Sequence, residues 1–221
     1  MNEECLIRKA TVEDIKFLVE VIIGAEKSNT DKLSLSTFFN LSESRVGKLL
    51  MEILKEEIDG CEFSVSSFLI AEFHGKQAAA VGGWIEAIDN EIPSQTLKSN
   101  LIGYFFPGES IRFLQSKSSI IKDIQIKRDS QSLQIEYVYV SQLHRGFRLA
   151  EKLINEHIKS AVIRYPAIKK AQVQVFKNNI SAIKLYERLD FTTTKEFISD
   201  NDCILDYVPY FVKLLMEKKL N

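Results

Sequence analysis

Leu133-Gln-Ile-Glu-Tyr-Val-Tyr-Val140 runs directly into Ser141-Gln-Leu-His-Arg-Gly-Phe-Arg-Leu-Ala150, and the change of pattern between the two stretches decides the reading of the fold. The first eight residues are rich in β-branched and aromatic side chains, as a strand requires. From Gly146 the period lengthens. Leu149, Ala150, Leu153, Ile154, His157, Ile158, Ala161 and Val162 make one long apolar stripe, which predicts a helix over 146–162. His157 inside that stripe reads as a core histidine. A strand that turns through a glycine into a helix brings unpaired amides and the positive end of the helix dipole to one point. Such a point receives phosphate oxygens. Gly146 admits an anion close to the backbone, and Arg145 and Arg148 can add charge-assisted contacts. The amides of Gly146, Phe147, Arg148, Leu149 and Ala150 are the expected phosphate donors. Read alone, the same residues also describe a turn glycine between two solvated arginines.

Working outward, the chain alternates. Ala171–Phe176 reads as a strand, followed by Lys177-Asn-Asn-Ile-Ser-Ala-Ile-Lys-Leu-Tyr-Glu-Arg-Leu-Asp-Phe191. Within it Ala182, Leu185, Tyr186 and Leu189 share one face of a short helix over 181–189, and Asn179 stands at its entry, or beside a ligand there. Phe191–Phe197 and Tyr207–Met216 are expected to be closing strands. Upstream, Leu6–Ala10 is extended, and Thr11 with Asp14 three residues later has the capping-box spacing. Ile15, Leu18, Val19 and Ile22 then recur at helical spacing. A polar stretch over 27–36 is expected to be loop, and a second helix runs over 44–58. Phe68–Phe73 and Gln77–Ile85 form a hairpin around His74-Gly75-Lys76. Its second strand, with Ala78, Ala79, Ala80, Val81 and Trp84, is too continuously apolar for an edge and belongs in the middle of a sheet.

Residues 90–131 interrupt this rhythm. Two helices are expected there, near 95–104 and 109–121. So long an excursion exceeds what joining two strands requires. Its apolar residues, among them Leu101, Ile102, Tyr104, Phe105, Phe106 and Phe113, must pack on the sheet, line a pocket or meet a partner chain. Carboxylates at Glu86, Asp89, Glu91 and Glu109 lie where they could draw a cationic amine, or simply face water.

Taken together, Arg145-Gly-Phe-Arg-Leu-Ala150 and Asn179, Ala182, Leu185, Tyr186 and Phe191 resemble the two signatures of the GNAT superfamily of CoA-dependent N-acetyltransferases. The opening Ile7-Arg8-Lys9-Ala10-Thr11, with Glu13-Asp14, is similar to the family's first strand and helix. Two positions depart from the pattern: Arg148 stands at the family's inner glycine, and Asp190 at the glycine before Phe191. The resemblance implies one α+β domain over 1–221, with a mixed, mostly antiparallel sheet flanked by helices and the helical segment at about 90–131 inserted into it. It implies acetyl-CoA as co-substrate and direct attack by a primary amine on the thioester. The backbone of Val138, Tyr139 and Val140 would pair with the pantetheine arm, and an amide near Val138 would hold the oxyanion. Tyr186 matches the tyrosine that protonates the departing thiolate. Glu136 is the candidate proton acceptor, through water, expected to share a strand face with Val138 and Val140; an ordinary charged strand residue is the competing reading. Asn179 joins the cofactor-binding residues. A homodimer is common among the proteins it resembles. The altered first signature also leaves a catalytically silent CoA-binding or partner-binding module of the same fold as the alternative.

Composition fits these expectations. The chain has 221 residues and a net charge of −1, so no broad electrostatic attraction to nucleic acid or to an anionic membrane is expected. Cys5, Cys61 and Cys203 are too dispersed for a metal-ligand pair or a disulfide framework. Buried free thiols, no metal and a cytoplasmic location are the expectation.

Overall fold

The computed structural model describes residues 5–88 and 92–220. The strands are β1 (Cys5–Lys9), β2 (Phe68–Phe73), β3 (Lys76–Ile85), β4 (Leu133–Val140), β5 (Lys170–Phe176), β6 (Thr192–Ile198) and β7 (Val212–Lys219). The helices are α1 (Ile15–Glu26), α2 (Ser34–Phe39), α3 (Glu43–Leu54), α4 (Ser94–Phe105), α5 (Gly108–Ile121), α6 (Leu149–Arg164), α7 (Ile180–Arg188) and the single turn α8 (Ile204–Tyr207). The seven strands form one sheet in the order β1-β2-β3-β4-β5-β7-β6. Every pairing is antiparallel except β4 with β5. This is the expected α+β architecture with a mixed, mostly antiparallel sheet.

Helices cover both faces. One hydrophobic cluster joins α1, α2, α3 and the α4–α5 excursion to the sheet through Leu18, Ile22, Leu50, Phe68, Ile102 and Tyr137. The other joins α6 and α7 to the opposite face through Leu153, Ile154, Ala79, Val173, Tyr186 and Met216. Ala78–Val81 are fully buried between β2 and β4, which accounts for the apolar run of β3. His157 is buried, and its Nε2 lies 2.9 Å from the Val81 carbonyl oxygen. Burial pushes its pKa down to about 4, so the neutral ring donates that bond. A Cβ on Gly83 would come within 2.5 Å of the same ring, so glycine there is what lets α6 lie this close to β3. At the amino end, Thr11 and Asp14 form the capping box and Arg8 clamps Asp14 at 2.7 Å.

Several expectations shift. The stretch read as loop at 27–36 already starts α2 at Ser34, whose Leu35, Phe38 and Phe39 are buried. The last strand begins after Pro209, at Val212, because proline lacks a donor for the ladder; Tyr207 belongs to α8. The helix after β4 starts at Leu149 instead of Gly146. Of the three thiols Cys61 is buried, Cys5 half-buried and Cys203 exposed beside the polar turn at Asn201–Asp202. In the excursion Leu101, Ile102 and Phe106 are core, with the Phe106 ring 4.5 Å from that of Phe39. Tyr104 is exposed. Asp89, Asn90 and Glu91 lie outside the described residues.

Candidate active site

The site begins where two strands part. β4 and β5 pair over Leu133–Ile135 and Ala171–Val173. A buried polar ladder holds that end shut: Gln134 Nε2 donates to Gln172 Oε1 at 2.7 Å, and Gln172 Nε2 donates to Glu217 Oε1 at 2.6 Å. Beyond Ile135 the pairing stops. On its other side β4 carries a bulge. The register with β3 jumps from Gly82↔Glu136 to Ala80↔Tyr139, and Tyr137 takes a left-handed φ of 52°. A bulge bends its strand and leaves one residue outside the ladder. Here it turns the second half of β4 away from β5 and leaves an open strand edge along Val138–Val140.

The gap is a small cavity of about 140 Å³, lined by Glu26, Glu136, Val138, Asn179, Tyr186 and Lys213, with Tyr137 and Phe176 among its other walls. Glu136, Val138, Tyr186 and Asn179, some fifty residues apart in sequence, therefore meet at one place. Tyr186 is buried, and its pKa is raised chiefly by desolvation and further by the Glu136 carboxylate, so its hydroxyl keeps its proton. That hydroxyl has no hydrogen-bond partner among the described residues.

The bulge corrects one expectation about Glu136. Val138 and Val140 pack toward the α6 side of the sheet. Glu136 instead points with Tyr137 toward the α1 side, because the extra residue breaks the alternation of faces. Arg128, near the end of the excursion, donates to Glu136 Oε1 from Nε at 3.1 Å and from Nη2 at 2.7 Å. Arg128 also grips the buried Glu62 through Nη1 and Nη2 at 3.2 and 2.9 Å. Tyr137 donates to Glu62 at 2.9 Å, and Lys98 on α4 lies 3.4 Å from it. Burial alone would raise Glu62, but Arg128 and Lys98 more than offset that and hold it down at about 2. Glu62, Lys98 and Arg128 were not singled out from sequence. Lys98 left a signal, a cation three and four residues before the apolar Leu101 and Ile102 on a helix. Two of the three, Lys98 and Arg128, come from the 90–131 segment.

The second part of the site lies at the far end of β4. After a 3-10 turn at Gln142–His144 the chain passes Arg145, Gly146, Phe147 and Arg148 before α6 begins. None of the amides of Gly146, Phe147, Arg148, Leu149 and Ala150 donates a hydrogen bond among the described residues. Gly146–Arg148 are exposed and Leu149 and Ala150 are buried, so the loop is pinned from behind while its amides stay open. Phe147 anchors it, its ring 4.9 Å from that of Phe73 on β2. Gly146 has a φ of 92°, and Arg148 is left-handed at φ 55°. Arg145 and Arg148 are exposed and have no carboxylate partner among the described residues. Tyr139 packs inward, edge-on to Phe17 of α1 at 6.3 Å. Asn179 caps α7: its Oδ1 accepts from the Ala182 amide at 3.3 Å and from Asn29 Nδ2 at 2.8 Å, and its Nδ2 donates to Ser28 Oγ at 3.1 Å.

A family model described as the acetyltransferase (GNAT) family matches residues 51–191, which include β4, the open loop and α7. This chain is a member of the GNAT family. No curated protein matches its sequence. Its fold is shared with solved structures of low identity. An N-acetyltransferase from Staphylococcus aureus Mu50 superposes with a TM-score of 0.67 at 14% identity, covering 96% of this chain and 100% of the other. A structure described as an acetyltransferase gives 0.64 at 18% identity, covering 98% and 100%. The yncA protein of Salmonella typhimurium, solved with its cofactor acetyl-CoA, gives 0.54 at 15% identity, covering 99% and 95%. Against this GNAT background the two departures from the signatures have a common conformation. Arg148 and Asp190 both sit at left-handed φ, 55° and 64°, where glycine carries no Cβ penalty. Among the described residues no group of side chains is arranged to hold a metal ion, and no helix is long and apolar enough to cross a membrane.

Proposed function

We propose that the protein transfers an acetyl group from acetyl-CoA to a primary amine by direct attack on the thioester. The observation that carries this reading is one strand, β4, whose open edge has an unpartnered tyrosine hydroxyl beside it and leads at its far end into a row of five free amides. The amides of Gly146–Ala150 bind the pyrophosphate, with Arg145 and Arg148 beside it. The edge of Val138–Val140 pairs with the pantetheine arm and places the thioester at the bulge. There an amide near Val138 faces the oxyanion of the tetrahedral intermediate. As the C–N bond forms, the nitrogen sheds a proton through water to Glu136, whose Oε1 is fixed by Arg128. As the C–S bond breaks, Tyr186 gives its proton to the CoA sulfur. Asn179 supports this arrangement as the cap that sets where α7, and hence Tyr186, begins. The 90–131 segment walls the acceptor side, a reading supported by its Lys98 and Arg128, which reach Glu62 and Glu136 beside the cavity.

The test combines thiol release from acetyl-CoA over a panel of primary amines with calorimetric binding of CoA. Turnover with at least one amine is expected, and Tyr186→Phe is expected to lower it roughly ten- to a thousand-fold with a smaller change in CoA affinity. A Tyr186→Phe variant that keeps wild-type turnover while chemistry limits the rate removes the acid role. CoA binding without thiol release from any amine replaces the enzyme by a CoA-binding module.

A further inference from the structure

Three carboxylates stand around the cleft, and they are not equivalent. Glu62 is fully engaged by Arg128, Tyr137 and Lys98. Glu136 is tied through Oε1 to Arg128. Glu26 has no hydrogen bond and no ion pair among the described residues, although it is half-buried and lines the same cavity as Glu136, Tyr186 and Lys213.

Its position in the fold is unfavourable for a carboxylate. Glu26 is the last residue of α1, where the helix dipole presents its negative end. It continues the buried stripe of that helix, four residues after Ile22 and one turn beyond the core. Close packing holds it there. Gly24 lets α1 approach β4 so tightly that a Cβ at that position would meet the Tyr139 ring at 2.7 Å. Asn179 then binds Ser28 and Asn29, just past the helix end. An acid at a helix C-terminus, in a cavity that already holds a second carboxylate, is held against an electrostatic cost from the dipole and from its neighbour. Groups kept at such a cost concentrate at functional sites.

We propose that Glu26 is a catalytic residue that receives the acceptor amine as its ammonium ion and takes the first of the two protons the nitrogen must lose. This rests on the acetyltransferase reading of the cleft. The acceptor enters as R–NH3+, with a pKa near about 10 for a lysine-like amine. One proton passes from nitrogen to the Glu26 carboxylate, leaving the lone pair free. The nitrogen attacks the thioester carbon, forming the C–N bond and an oxyanion. The second proton leaves nitrogen through water to Glu136 as the carbonyl reforms and the C–S bond breaks. The thiolate takes the Tyr186 proton, and Glu136 returns its proton to the tyrosine. Glu26 releases its own to solvent, so the sum is R–NH3+ and acetyl-CoA giving amide, CoA thiol and one proton.

The charged groups that face Glu26 come from four directions: Lys98 on α4, Lys213 on β7, Glu136 on β4, and Glu62 between α3 and β2. Burial raises the Glu26 pKa most; the two lysines lower it, and the two carboxylates raise it again. Its ionised form is the active one. Activity is therefore present above its pKa and lost as pH falls through it, at a pH above the ordinary carboxylate range.

The experiment measures kcat/KM against pH for wild type, Glu26→Gln and Lys213→Met, using spermidine, tyramine, L-lysine and an alanine-led tripeptide as acceptors. Melting temperature and CoA affinity are followed in parallel. Glu26→Gln is expected to lower kcat/KM roughly a hundred-fold at neutral pH with CoA affinity unchanged. The deficit should shrink toward pH 10 as the free amine becomes abundant, so the acid limb set by Glu26 should give way to one at higher pH set by the amine itself. Lys213→Met should move the wild-type limb to higher pH, because it removes a cation that favours the ionised acid, and Glu26→Asp should restore part of the activity. A Glu26→Gln enzyme with the wild-type profile overturns the assignment and leaves the acetyltransferase reading standing. So does a loss that is constant across pH. A wild type that binds CoA but releases no thiol with any acceptor overturns both.

Discussion

α6 and α7 each follow one of the two strands that part, yet their first turns are built in opposite ways. α7 is closed. Asn179 caps it through the Ala182 amide and ties it to Ser28 and Asn29. α6 is open. Its N-cap residue Arg148 makes no side-chain cap, and five consecutive amides before and within its first turn have no partner among the described residues. A capped start spends its donors on holding a helix in place. An uncapped start keeps them for an anion. On the proposed function the first fixes the tyrosine and the second receives the cofactor, and the same contrast says how each should respond to substitution.

The largest expected effect is at the open start. Gly146→Val places a β-branched residue at φ 92° although nothing within 4 Å would meet its Cβ. The strain is therefore in the backbone and should rotate the amides away. CoA affinity in calorimetry should fall roughly ten-fold or more, the equivalent of about 1.4 kcal/mol, with little change in melting temperature. Unchanged affinity would break the contrast between the two starts. The closed start should show the reverse. Asn179→Ala is expected to cost about 1 kcal/mol of stability, read as a drop of roughly 2–4 °C in melting temperature. Turnover should fall with it as Tyr186 loses its anchor, while CoA affinity changes less than in Gly146→Val.

Smaller effects sharpen the comparison. Arg148→Gly relieves a left-handed arginine and should stabilise the fold by roughly 0.5–1 kcal/mol in thermal melts, after the entropy that glycine adds to the unfolded chain. Its CoA affinity should stay nearer wild type than that of Gly146→Val, because the amides are retained and only a side chain is lost. Asp190→Gly, at φ 64° behind α7, should change stability by less than about 0.5 kcal/mol, since aspartate enters the left-handed region more easily than arginine does.

The two helix starts were also unequally legible in sequence. The strand–glycine–helix succession at 133–150 and the spacing of Asn179, Ala182, Leu185 and Tyr186 are local patterns, and local patterns set strands, turns and stripes. Both could therefore be placed before any contact was known. The helix at 34–39 was hidden because it spans only a turn and a half and its buried Leu35, Phe38 and Phe39 are too few to establish a period. Glu26 left a faint mark, a carboxylate continuing the apolar stripe of Ile15, Leu18, Val19 and Ile22. Stripe analysis treats such a residue as the end of a pattern, and only the cavity gives it meaning.

What the sequence determined by itself was most of the order of elements, the α+β class, the family likeness and the succession of a glycine-bearing helix start and a tyrosine-bearing helix. These follow from periodicity, turn chemistry and motif spacing within stretches of some twenty residues. What only the tertiary structure decided was the chemistry between the strands. The bulge at Tyr137 turned Glu136 to the α1 side of the sheet, against the face it was expected to share with Val138 and Val140. Glu62, from the stretch before β2, and Lys98 and Arg128, from the 90–131 segment, closed around it and left Glu26 without a partner among the described residues. The physical reason is that the state of a carboxylate depends on burial and on charges a few ångströms away, and neither is a property of neighbouring letters in the chain.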